Sequence, residues 1–208
     1  MSEHRSVLVL GTTAFSAEIA DVCTAAGFDV AGFVEDLTRE RTSESHAGLP
    51  VHWIDDTAGL AESHLALCGL ETARRSVFVE RVQALGFRFA TVVHPAAYVP
   101  PTTTLGEGSI LSAGVAVAAH TTIGRHVLVD RGSLLGHHTT IGDFTSIRPG
   151  ANVAGSCRVG DHVDVGTGAV VIDHLSIGAG AVVVKDVPAG VRVVGVPARI
   201  VEDSGEGW

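Results

Sequence analysis

Val129-Asp130-Arg131-Gly132-Ser133-Leu134-Leu135-Gly136-His137-His138-Thr139-Thr140-Ile141-Gly142-Asp143-Phe144-Thr145-Ser146-Ile147 places a branched aliphatic residue at every sixth position. The same step extends both ways, through Val99, Leu105, Leu111, Val117 and Ile123 on one side and Val153, Val159, Val165, Val171, Ile177 and Val183 on the other. That makes fifteen positions without a slip. Four residues after almost every one stands a small or β-branched residue, among them Ser109, Thr121, Ser133, Thr139, Thr145, Ala151, Cys157 and Val163, with Leu175 the exception. Glycine often follows the aliphatic residue directly, as at Gly106, Gly124, Gly136, Gly142, Gly160, Gly166 and Gly178. A helix repeats every 3.6 residues and a strand every two. A period of six therefore reads as a short strand, a corner and another short strand, the pattern of a hexapeptide β-helix.

Three such hexads close one triangular coil, so residues 18 apart stack along the axis with a rise of roughly 4.8 Å. Arithmetic then gives the columns. One runs Ala119, His137, Gly155, Asp173; the next runs His120, His138, Ser156, His174; a third runs His126, Phe144, His162.

Composition agrees with this shape. Hydrophobic residues make up 46% of 208 residues while aromatics make up 5%, which suits an interior of stacked aliphatic side chains. A net charge of −9 gives no electrostatic support for nucleic-acid binding. No apolar run reaches the roughly 18 residues of a membrane span, and Met1-Ser2-Glu3-His4-Arg5 lacks a signal-peptide pattern. Cys23, Cys68 and Cys157 lie without metal-ligand spacing and read as reduced core thiols of a cytoplasmic protein.

The first ninety residues follow another rule. Ser6–Leu10, Asp29–Val34, Leu65–Cys68 and Phe89–Val93 read as strands. A helix capped by Thr12 or Thr13 carries Phe15, Ile19, Val22, Cys23 and Ala26 on one face, and Glu71–Leu85 forms a second, with Val77, Phe78, Val82 and Leu85 inward. Leu37–Gly48 reads as a polar, mobile loop. Strands alternating with helices predict a small, Rossmann-like parallel α/β sheet. Ligands of such sheets sit beyond the carboxyl ends of the strands, where this chain offers Gly11, Thr12, Glu35, Asp36 and Gly69. The turn Gly11-Thr12-Thr13-Ala14-Phe15-Ser16 is not a GxGxxG fingerprint, which argues against a dinucleotide cofactor. His94-Pro95 and Pro100-Pro101 mark the passage into the solenoid. The predicted domains are 1–94, 95–200 and a flexible tail, 201–208.

In the solenoid, the small neighbours Ala119 and Gly155 leave open space beside His137, and Gly155 offers a bare backbone N–H. An imidazole base next to a main-chain donor is what an acyl-transfer site needs. Imidazoles at His120, His138 and His174 also suggest zinc. However, His174 lies two coils from His138, roughly 9.6 Å, too far to share an ion, so no metal is expected.

The run Val129–Phe144, then Pro149-Gly150-Ala151-Asn152-Val153-Ala154-Gly155, resembles the sialic acid O-acetyltransferase and UDP-4-amino-sugar N-acetyltransferase family (NeuD/PglD-type). Gly32-Phe33-Val34-Glu35-Asp36, His94-Pro95-Ala96, Val184-Lys185-Asp186-Val187-Pro188-Ala189-Gly190 and Gly195-Val196-Pro197-Ala198-Arg199 fit the same family. The resemblance implies a left-handed parallel β-helix, a homotrimer with active sites between subunits, and acetyl-CoA as donor. It puts His137 at the catalytic-base position and Gly155 at the glycine whose amide faces the acetyl carbonyl. Thr167, Ala179 and Lys185 fall at positions that contact the cofactor, and the N-terminal domain takes the acceptor.

This chain also departs from the family. His138 replaces the usual acidic residue after the base, and an imidazole cannot orient its neighbour as a carboxylate would. Asp130, where asparagine is common, is expected to take over part of that role. Ser146 replaces a second histidine, and the glycine-rich nucleotide turn is eroded.

The expected reaction is direct acetyl transfer to an amino group of a small molecule, best a nucleotide-linked amino sugar. Two alternatives remain open on the sequence: O-acetylation of a sugar, sialic-acid-like or natural-product hydroxyl, and an inactive ligand-binding scaffold. A metal-dependent hydratase would need two histidines four residues apart across a trimer interface, and the solenoid sequence has no such pair.

Overall fold

The computed structural model describes residues 6–72, 74–174, 176–178, 181–183 and 192–201. The chain forms two compact units, Met1–His94 and Pro95–Trp208.

In the first unit, β1 (Ser6–Leu10), β2 (Asp29–Glu35), β4 (Leu49–Trp53) and β5 (Leu65–Cys68) lie parallel, with β3 (Ser45–His46) antiparallel at one edge; the order is β3-β4-β2-β1-β5. β1 is apolar from Val7 to Leu10 because it is central and buried from both faces. Helix α1 (Ala14–Ala25) starts at Thr13, whose hydroxyl accepts from the Ser16 amide while the Ser16 hydroxyl accepts from the Thr13 amide.

Three elements differ from the sequence expectation. Residues 37–48 are not an open loop. A 3-10 turn spans Arg39–Ser43, and β3 and β4 form a hairpin through Ala47 and Gly48, both at positive φ. Helix α2 is Arg75–Ala84 rather than Glu71–Leu85, and its inward residues are Phe78, Val79 and Val82; Val77 faces solvent. The strand expected at Phe89–Val93 shrinks to a bridge from Phe89 to Ala66 and a two-residue strand, Val92–Val93.

In the second unit, two-residue strands stack into three parallel sheets. Thr104, Thr122, Thr140, Arg158 and Ser176 begin the strands of one; Ile110, Leu128, Ser146, Asp164 and Val182 begin those of the next; Ala116, Leu134, Asn152 and Val170 those of the third. Partners differ by 18 residues, as in Thr122 with Thr140 and Leu134 with Asn152. The aliphatic column from Leu111 to Val183 is at most 3% exposed. The small column beside it is buried too, and its hydroxyls are bonded: Thr121 donates to Gly136 O, Thr139 to Ala154 O and Thr145 to Gly160 O. Coming back, the amides of Cys157 and Val163 donate to Thr139 and Thr145.

Among the described residues, each corner from Gly108 to His174 turns through a residue in the left-handed region. At the third corner this residue is always glycine: Gly114, Gly132, Gly150 and Gly168. At the first it is His120, His138, Ser156 and His174, and at the second Gly108, His126, Phe144 and His162. A phenyl side chain is unusual at such a φ. Phe144 stacks between His126 and His162, with centroids 4.9 and 5.2 Å away. Beyond the last coil, Arg192–Val194 lies beside Ser176–Ile177 and pairs antiparallel with Arg199–Val201. Val201 thus ends a strand, whereas the sequence reading put it in the tail; residues 202–208 lie outside the described residues.

Candidate active site

The first corner joins the third sheet to the first, and His137 stands on it. Its amide-bonded neighbours fix its height: His138 N donates to Ala119 O one coil below, and Ser156 N donates to His137 O from the coil above. Gly136 is required just before it. A Cβ there would collide with the backbone at Ala154 C and Gly155 N. The imidazole lies directly over Gly155, where a Cβ would stand 2.9 Å from Cε1 and Nε2 and 3.3 Å from Nδ1. The missing side chain at 155 is therefore the space the ring fills.

Gly155 N–H is already engaged, donating to Asp173 Oδ1 at 2.9 Å. The expected bare amide is thus capped within the chain. The same device occurs at the second corner, where Asp143 accepts from Arg125 N and Asp161 from Asp143 N. Asp143 also takes the Arg125 guanidinium at 2.8 Å. Burial pushes its carboxyl up, but the Arg125 amide and guanidinium outweigh this and hold it below the usual carboxylate range.

His138 lies beside His137. Its Nδ1 is 3.1 Å from His137 Nδ1 and the rings are nearly perpendicular, at 82°. One coil below, the His120 ring centres 5.0 Å from that of His138. Asp130 does not reach this cluster. It is buried at the third corner, one prism edge away, where its Oδ1 accepts from the Arg131 amide at 2.7 Å and faces the Arg131 guanidinium. Thr167 also stands at the third corner, beside Gly168. Within one chain the structure brings His137, His138 and Gly155 together, but not Asp130 or Thr167. Ala179 and Lys185 lie outside the described residues. Among the described residues no group of three or more His, Cys, Asp or Glu side chains is arranged to hold a metal ion.

The second set of predicted residues converges at the carboxyl ends of β1 and β2. Gly11 has φ +105 and its Cβ would meet Leu70 Cδ2 at 2.5 Å, so glycine is needed there. The Thr12 hydroxyl donates to Glu35 Oε2, and Glu35 Oε1 accepts from the amides of Asp36, Leu37 and Thr38. Burial raises the Glu35 carboxyl, but these donors together with Arg41 bring it below its ordinary value. Asp36 is held by Arg74 and Arg81, each at 3.1 Å. Both carboxylates are thus bonded within the protein rather than left as open acceptors. The sequence reading missed Arg41, Arg74 and Arg81, all partly exposed around this edge. They lie in segments read as loop or helix surface, and only the fold gathers them.

The Bacterial transferase hexapeptide (six repeats) family matches residues 138–173. Among solved structures, the acetyltransferase domain of PglB from Neisseria gonorrhoeae FA1090 in complex with acetyl coenzyme A is 29% identical. It is matched over 96% of this chain and 100% of that one, with a TM-score of 0.78. WeeI from Acinetobacter baumannii AYE is 26% identical over 94% and 99%, at 0.73. A mutant of perosamine N-acetyltransferase from Caulobacter crescentus, in complex with CoA and GDP-perosamine, is 27% identical over 95% and 97%, at 0.70. No curated protein sequence matches the chain. The hexapeptide repeat and its 18-residue coil are thus those of a fold shared with acetyltransferases seen in complex with acetyl coenzyme A or CoA. Over nearly its whole length the chain is similar to these proteins, the perosamine N-acetyltransferase among them.

Proposed function

We propose that this chain transfers the acetyl group of acetyl-CoA to an amino group of a nucleotide-linked amino sugar, with His137 as general base. The observation that carries the reading is the imidazole of His137 seated over the open Cα of Gly155. As the amine attacks the thioester carbonyl, the C–N bond forms and His137 Nε2 takes the amine proton. The C–S bond then breaks, and the CoA thiolate recovers that proton. The Gly155 amide stabilises the developing oxyanion once Asp173 has released it.

We read the coil as left-handed and the working unit as a cytoplasmic homotrimer. Asp130 and Thr167 lie one prism edge from His137 within a chain, and a neighbouring copy brings that corner to His137. For Ala179 and Lys185 the family resemblance supports a role in contacting CoA. The first unit, Rossmann-like, binds the acceptor's nucleotide, with Gly11 and Thr12 at the turn and Glu35 and Asp36 fixing the loop beside it. Arg41, Arg74 and Arg81 provide cationic charge for its diphosphate. An amine acceptor is favoured over a hydroxyl because the full-length likenesses include an N-acetyltransferase of a nucleotide sugar.

The test is CoA-thiol release from acetyl-CoA with GDP-perosamine and a panel of UDP- and dTDP-linked 4-amino sugars. His137→Ala is expected to lower kcat by roughly 10²–10⁴-fold. An unchanged rate removes His137 from the mechanism, and no thiol release with any acceptor removes the transferase reading.

A further inference from the structure

We propose that His138 is a positioning residue. Its neutral imidazole accepts the Nδ1–H of His137 and so fixes the tautomer in which His137 Nε2 carries the lone pair. The inference rests on the reading of His137 as the base.

Two Nδ1 atoms 3.1 Å apart make a hydrogen bond only if one carries the hydrogen and the other a lone pair. If His137 is to take a proton at Nε2, its hydrogen must sit on Nδ1, and His138 Nδ1 must be the acceptor. The corner geometry sets up this meeting. His138 occupies the left-handed position at φ 58, its amide is tied to Ala119 O at 3.1 Å, and its ring stands edge-on to His137. The titratable or charged groups around His138 are His137 beside it, His120 one coil below at 5.0 Å, and Asp173 on the Gly155 amide above. Ser156, next in its own column, brings no charge.

An imidazole acceptor differs from a carboxylate in one respect. It orients His137 without placing a negative charge beside it, and such a charge would favour the imidazolium. During transfer the Nδ1–H stays in place. The amine proton enters at Nε2 and leaves from Nε2 to the thiolate.

The experiment uses the full chain with ¹⁵N-labelled histidine and long-range ¹H–¹⁵N spectra near pH 8. Wild type is expected to show His137 as the Nδ1–H tautomer and His138 as Nε2–H. His138→Phe should release His137 to tautomer exchange. His138→Gln, whose carboxamide oxygen accepts, should hold it. With acetyl-CoA and GDP-perosamine, His138→Phe should lower kcat by about tenfold or more, with KM for acetyl-CoA little changed, and His138→Gln should recover most of that loss. His138→Glu should move the acid limb of the kcat profile to higher pH, because a carboxylate stabilises the charged base. A wild-type His137 seen as Nε2–H, or a tautomer unmoved by His138→Phe, overturns the proposal. The two readings fail separately. Absent turnover with the stated tautomers sinks only the base role, while turnover abolished by His137→Ala alongside an Nε2–H His137 sinks only the role of His138.

Discussion

Gly155 shows how much one absent methyl group decides. Its φ lies outside the left-handed region, so alanine is conformationally permitted, yet the new Cβ would meet three ring atoms of His137. Gly155→Ala should leave the fold intact and lower kcat by roughly 10–100-fold, because a displacement near 1 Å at a reacting group can cost about that much; steady-state kinetics beside an unchanged melting temperature would check it. Asp173→Ala uncovers the Gly155 amide. If Asp173 competes with the thioester carbonyl for that donor, KM for acetyl-CoA should fall by about 2–10-fold, the worth of one exposed hydrogen bond; a KM that rises would mark Asp173 as a support of the cofactor groove. The pairing of His137 with Gly155 was legible because an 18-residue stack is arithmetic. Asp173 stood in the same column and its role was not legible, since a column gives adjacency and not which donor a carboxylate takes. The contact between His138 and His137 was hidden for a similar reason: neighbouring residues at a strand corner meet only if the φ of the second turns its ring back.

At the scale of elements, the hexads encode strands of only two residues, and the buried hydroxyl column ties one coil to the next. Thr139 donates to Ala154 O and accepts from Cys157 N. Thr139→Val keeps the shape and leaves both groups without that partner. A loss of about 1–3 kcal/mol is expected, read by urea unfolding of the variant against wild type. The periodic half of the chain was legible nearly residue for residue, because the aliphatic column repeats without a slip from Leu111 to Val183. The first unit was read less completely. β4 escaped because its hairpin turns on Ala47-Gly48, a weaker signal than Asn-Gly or Asp-Gly, and because His52 and Trp53 break its apolar run. Val77 was placed inward because adjacent Val77, Phe78 and Val79 cannot all share one helical face, and only packing chooses among them.

At the scale of the whole molecule, the described residues of each unit include a carboxylate held below its ordinary range, Glu35 in the first and Asp143 in the second. A lowered folded value means the stabilisation is complete above the unfolded carboxylate range, near pH 4, and is lost as pH falls through the folded values. Acid unfolding monitored by circular dichroism should therefore begin below that range. Glu35→Gln should flatten the part of the pH dependence that belongs to the first unit, and an unaltered profile would show the loop bonds to Glu35 to be energetically idle.

The offset of 18 residues between the paired two-residue strands has a consequence for length. A one-residue deletion in the solenoid would turn every later aliphatic side chain from lining to wall. Excising one complete storey would leave the rest still in phase, so the prism's height can change only in whole storeys. Its first corner could then gain or lose a level of histidines without the levels that remain being rebuilt.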